Sequence, residues 1–250
     1  MIVGVLGLGR IGATHAANAA RLHDVEVVVY DPDRAALERT VVATGARGVP
    51  DRDAVLTDAG AVIIATPTAQ HPDDLAAGAA AGLPMLCEKP ISLDVGSTAA
   101  ALDVVDWAGV ELQVGFMRRF DAGFVEIRRR VESGALGDVY LVRAASHDHV
   151  PPHESYLDHA GSVYRDMHIH DFDALPWLVG QAVVRVHAQG AVLIDEMYAR
   201  HGDVDTSAIV LTFEGGALAV ITGARADALG YDHRTEVFGS DLFSHSSTVR

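Results

Sequence analysis

The chain has 250 residues, 49% hydrophobic and 21% charged, enough apolar material for one large domain or two ordinary ones. Its formal charge of −15 argues against a protein that depends on attraction to nucleic-acid phosphates, and no apolar run reaches the ~18–20 residues a membrane span needs. The first residues lack a basic leader and a cleavage site, and a single cysteine, Cys87, cannot close an internal disulfide. The expectation is therefore a protein of the reducing cytoplasm.

The first apolar run, Ile2–Leu6, ends in Gly7-Leu8-Gly9-Arg10-Ile11-Gly12 and is followed by an alanine-rich helical stretch over 13–22. A second β-branched run over 25–30 stops at Asp31. A bare G-x-G-x-x-G is a weak signal. Between a strand and a helix, with an acid about 20 residues on, it becomes a dinucleotide fingerprint. Gly7 permits the tight turn, Gly9 lets backbone N–H groups approach a pyrophosphate, and Gly12 lets helix and strand pack closely. Arg10 and Ile11 complete the loop at the helix N-terminus, whose dipole favours phosphate. Asp31 is placed to accept from the adenosine ribose hydroxyls and to repel a 2′-phosphate, favouring NAD over NADP, with Arg34 close enough to soften the preference.

Strands over 61–65, 84–87 and 111–115 then alternate with helices over 72–81 and Val95–Ala108, which implies a parallel sheet covered on both faces. Thr66 and Glu88 each follow a strand, where open α/β sheets bind ligands, and both are expected at the cofactor. Lys89 is the only lysine among 19 Lys and Arg residues. A chain this biased toward arginine has kept one compact amine, where a guanidinium fork is no substitute.

Beyond residue 115 the rhythm changes. A helix over 121–133 leads to a strand at Val139–His147, a helical segment over 163–178, and four strands near 183–192, 206–213, 217–226 and 233–238. Glu214-Gly215-Gly216 reads as a hairpin turn, so this half is expected to be α+β with a mostly antiparallel open sheet. The segment from Asp166 to Asp173 is the densest chemical cluster. On one helix, Asp166 and His170 stand one turn apart on the same face, and a carboxylate beside an imidazole can orient it as a general base. On a helix His168 and His170 point to different sides, whereas on a strand they would share a face; with the helical reading no metal site is expected.

Together the Gly7–Gly12 loop, Glu88-Lys89-Pro90, Gly115-Phe116-Met117-Arg118-Arg119-Phe120-Asp121 and the Asp166 to Asp173 segment resemble the glucose-fructose oxidoreductase/inositol dehydrogenase/rhizopine catabolism family. The wording looks most like its inositol 2-dehydrogenase branch. The resemblance implies an NAD-binding Rossmann domain over 1–117 and an α+β substrate and oligomerisation domain over 118–250. It further implies a catalytic set of Lys89, Asp166 and His170 that oxidises a secondary hydroxyl of a cyclic polyol or sugar. Arg118, His147 and Tyr231 are similar in placement to the family's substrate contacts, Lys89-Pro90 to a cis peptide, and the subunit to one that forms a dimer or tetramer. Family members continue for roughly another 80 residues, so the chain reads as shortened at the C-terminus, its last ten residues a polar tail. Pro176 is expected to end or kink the helix carrying His170. The rival expectation is an NAD-binding sensor of the same fold without turnover.

Overall fold

The computed structural model describes residues 1–249 and divides into two compact units, Met1–Gly115 and the chain from Phe116 onward. The first unit runs β1 (Ile2–Leu6), α1 (Arg10–Ala19), β2 (Glu26–Tyr30), α2 (Arg34–Thr44), β3 (Arg47–Gly48), α3 (Arg52–Asp58) and β4 (Ala61–Ile64). It continues through α4 (His71–Ala80), β5 (Met85–Cys87), α5 (Val95–Ala108) and β6 (Leu112–Val114). The six strands form one parallel sheet in the order β3-β2-β1-β4-β5-β6. Apolar runs such as Val27-Val28-Val29 are buried on both faces, as a doubly covered parallel sheet requires. Val5, Val29 and Ala16 belong to one core layer, and Leu6, Val28, Ile64 and Leu75 to another. Side chains of Asp33, Asp51 and Asp94 accept from backbone N–H groups at the starts of α2, α3 and α5, which stops those helices from unravelling backwards. The chain enters β1 between β2 and β4, so the strand order reverses there, and the C-terminal strand ends around that point are where such sheets take ligands.

The second unit comprises α6 (Ala122–Glu132), β7 (Val139–His147), α7 (Glu154–Ala160), α8 (Val163–Asp166), α9 (Ile169–Val179), β8 (Val183–Ala191) and α10 (Met197–Arg200). It closes with β9 (Thr206–Phe213), β10 (Leu218–Ala224), β11 (Asp232–Gly239) and β12 (Phe243–Val249). The sheet order is β12-β11-β7-β10-β9-β8, with β7 and β10 parallel and the other pairings antiparallel. Ile127 of α6 and Leu175 and Leu178 of α9 pack with Val142, Ile209, Ile221 and Val237 of the sheet, all fully or nearly fully buried.

Three expectations change. The helix over 163–178 is two helices: the N–H groups of Met167 and His168 both donate to the Val163 carbonyl at 3.0 Å, and the bond from His168, five residues on, closes α8 in a wide π-type turn before α9 begins. Asp166 and His170 therefore flank a break rather than share one helical face. Pro176 lies inside α9, which runs on to Val179; Leu175, Leu178 and Val179 are buried beside it, and their packing outweighs the backbone bond that proline removes. The tail is not unstructured polar chain. Phe243–Val249 pairs antiparallel with β11, and Phe243 packs on Phe238 at 5.0 Å between ring centroids. Arg250 lies outside the described residues.

Candidate active site

The glycine loop is built as its spacing demands. Gly7 has φ +82° and donates to the Tyr30 carbonyl at 3.0 Å. A Cβ on Gly12 would stand 1.8 Å from the Gly7 oxygen, whereas one on Gly9 would meet nothing within 4 Å. Gly9 thus faces open space, and as the N-cap of α1 it offers no side chain to the helix's first N–H groups. Those donors, with Arg10 and Ile11 beginning α1, are left for an anionic ligand. The Asp31 carboxylate accepts from the Leu8 N–H at 2.6 Å and the Asp33 N–H at 2.8 Å, which ties the end of β2 to the loop. Asp31, Tyr30, Arg34, Leu37 and Val49 help line a cavity of about 210 Å³ beside it. The donors, the open glycine and the fixed carboxylate fit a dinucleotide.

At the next two strand ends, the Thr66 hydroxyl donates to Asp74 at 2.7 Å, and Glu88 meets His15 Nε2 at 2.7 Å. The Lys89 N–H donates to Glu88 at 3.3 Å, and the Lys89-Pro90 peptide is cis. His71, buried and unremarked in the sequence reading, spans the two strand ends: its ring nitrogens lie 2.8 Å from the carbonyl oxygens of Thr66 and Pro90. Burial pushes the Cys87 thiol up to about 12, with Glu88 and Asp74 adding to the effect, so this cysteine is an inert core residue.

In the second unit, Asp166 is gripped from two sides. Arg225 Nη1 donates to Oδ2 at 2.9 Å and the Tyr156 hydroxyl to Oδ1 at 2.9 Å. His170, half-buried at the start of α9, meets the edge of Phe116 at 6.4 Å between centroids. Arg118 is buried rather than presented to solvent. Its guanidinium donates to Asp171, to Ser146 at 3.0 Å and to His233 Nδ1 at 3.0 Å. Tyr231 stacks on His233 at 4.2 Å, so Arg118 and Tyr231 meet through that ring. Adjacent strand residues face opposite sides. His147 accordingly lies across the sheet from Ser146, against Asp227 at 2.6 Å and Thr222 at 3.2 Å.

Asp171, fully buried, is the hub of this layer. Burial alone would raise its pKa, but the hydrogen bond from His168 and the Arg118 charge outweigh it and hold the carboxyl at about 2. His168 donates from Nδ1 to Asp171 at 2.8 Å, which leaves Nε2 to accept from Ser207 at 2.7 Å. With both ring nitrogens hydrogen-bonded and no exposure, His168 is a satisfied core residue rather than a metal ligand. Among the described residues one group has metal-ligating atoms within reach of each other, His147, Asp227 and Asp232, within 4.8 Å, and a hydrogen bond already closes its His147–Asp227 edge. Nothing in the strand pattern around Arg225 announced its contact with Asp166, which arises only when β10 and α8 pack.

The domain description "Oxidoreductase family, NAD-binding Rossmann fold" matches residues 1–116, and "GFO/IDH/MocA C-terminal domain" matches 124–242. The inositol 2-dehydrogenase of Rhizobium meliloti is 40% identical over 95% of this chain and 72% of its own. The myo-inositol 2-dehydrogenase of Thermotoga maritima is 37% identical over 100% and 76%. The crystal structure of scyllo-inositol dehydrogenase from Lactobacillus casei with NAD(H) and scyllo-inositol superposes with a TM-score of 0.90 at 28% identity, covering 98% of this chain and 76% of that one. The chain belongs to the GFO/IDH/MocA family of oxidoreductases and is an NAD-dependent dehydrogenase.

Proposed function

We propose that the protein oxidises a secondary hydroxyl of a cyclic polyol, an inositol or a related sugar, to a ketone. Bound NAD accepts the hydride. His170 takes the hydroxyl proton, Lys89 hydrogen-bonds the reacting oxygen and favours its developing negative charge, and Asp166 orients the imidazole and the neighbouring hydroxyl. Gly7, Gly9, Arg10, Ile11 and Gly12 hold the pyrophosphate, Asp31 the adenosine ribose, and Thr66 and Glu88 the nicotinamide side. Arg118 and Tyr231 shape the polyol site through His233. His147, on the other side of its strand, reaches a substrate only around the strand end.

The observation that carries this reading is Asp166, a carboxylate fixed at both oxygens four residues before His170. The inositol dehydrogenases among its relatives support the substrate class. We place the enzyme in the cytoplasm on its single cysteine; among the described residues no helix is long and apolar enough to cross a membrane. An exposed sheet face bearing Leu218 and Val220, 42% and 37% accessible, suits a homodimer or tetramer.

Purified protein mixed with NAD and myo-inositol, scyllo-inositol or glucose should produce NADH absorbance with at least one of them. Lys89→Ala and His170→Asn should each lower kcat at least ~100-fold while NAD still binds. NAD binding without turnover of any cyclic polyol by the wild type would overturn this substrate class and move the search to other secondary alcohols.

A further inference from the structure

We infer that Arg225 is a positioning residue that sets the Asp166 carboxylate for the reaction, an inference that rests on the role proposed for Asp166 above. Arg225 directly follows β10, its backbone N–H donates to the Asp205 carbonyl at 2.8 Å, and its side chain is 3% exposed. From there Nη1 reaches Asp166 Oδ2 at 2.9 Å and Asp148 Oδ2 at 3.4 Å. The element that carries Asp166, α8, is four residues long, too short to hold its own geometry. Orientation has to be imposed from outside. Arg225 supplies it from the sheet and Tyr156 from α7, so one oxygen of the carboxylate is pinned by each and its plane is fixed.

A purely structural arginine would be a poor solution at this position. Nε and Nη2 are buried without a partner among the described residues, and a guanidinium left half-satisfied out of water is costly next to an apolar side chain of similar size. Keeping it there makes physical sense if the rotation of Asp166 matters more than the local stability. Arg225 does not itself touch a reacting atom; it acts through Asp166.

The test is a double-mutant cycle on turnover, using wild type, R225Q, R225K, D166N and R225Q/D166N, with myo-inositol or whichever cyclic polyol the wild type turns over best. A melting curve and an NAD titration accompany each variant. R225Q should lower kcat ~10- to 100-fold, as a displaced reacting group does, with NAD affinity within about twofold of wild type. R225K, which keeps the charge but loses the fork, should fall between. In the D166N background R225Q should cost less than about threefold, because the group it acts through is already lost. Multiplying losses in the double variant, or wild-type kcat in R225Q, would overturn the inference and leave Asp166 its role. Wild-type turnover by D166N would remove that role and Arg225's with it, as would a wild type that oxidises no cyclic polyol. If R225Q does not fold, R225K and R225K/D166N complete the same cycle.

Discussion

His233 shows how much of a residue's chemistry is decided by neighbours far away in sequence. Burial, and then the adjacent Arg118 charge, push its pKa down to about 4. It is neutral in the fold, where Nδ1 accepts from Arg118 and Nε2 keeps the proton. In an unfolded chain the same ring titrates near 6.5. The unfolded state therefore binds the extra proton first on acidification. The stability this ring contributes is full above about pH 6.5 and is lost as pH falls toward 4, up to roughly 3 kcal/mol. Asp171 adds a second window: its carboxyl is held at about 2, below the ordinary ~3.9, so its contribution is complete above about pH 4 and fades as pH falls through 2. Urea melts across pH 3–7 should show a steep decline between pH 6.5 and 4 that His233→Gln flattens; an unchanged slope would mean the ring is solvated. At this scale the sequence was legible where chemistry is local. Gly7, Gly12 and Asp31 could be read because backbone turns and strand ends impose them. Arg118 could be named but its surroundings could not, because Asp171, Ser146 and His233 reach it from three separate segments.

Elements follow the same division. Val95–Ala108 and Val139–His147 come out with the bounds their periodicity predicts, helped by an Asp94 cap and a Gly109 stop for the helix. The break between α8 and α9 had no such marker: neither glycine nor proline stands there, and His168 at the turn is fully buried. β12 was hidden for the opposite reason: its serines and histidine look like loop, and pairing with β11 makes them a strand. The packing of α6 on β12 offers a direct check. A Cβ on Gly123 would stand 2.3 Å from Ser246 Oγ and 2.8 Å from its Cβ, so the first turn of α6 needs a glycine there to lie against the strand. Gly123→Val should destabilise by about 1–3 kcal/mol through overpacking, measured by urea denaturation. Ser246→Gly in the same chain should recover part of that loss. No recovery would place the strain elsewhere than at β12.

For the molecule as a whole, the most informative property is compositional. One lysine among 19 Lys and Arg residues makes amine chemistry an almost single-site probe, with only the N-terminal amine competing. Lys89 follows β5 at the sheet's ligand-binding end, and Glu88 beside it is fixed by His15. Reductive methylation keeps the charge of the amine but adds bulk and removes donors, so it tests hydrogen bonding at the reacting oxygen apart from charge. Modification of the peptide containing Lys89, followed by mass spectrometry, should rise in step with the loss of kcat. Saturating NAD with polyol should slow both, while NAD titration of the modified protein should still show binding through the glycine loop, whose contacts involve no lysine. Full turnover after complete modification of Lys89 would remove it from the reaction and leave His170 to bear the proton transfer without a partner at the oxygen. Loss of turnover that tracks the N-terminal amine instead would point to Met1, whose ammonium donates to the Asp24 carbonyl at 2.8 Å at the start of the sheet, and so to stability rather than chemistry.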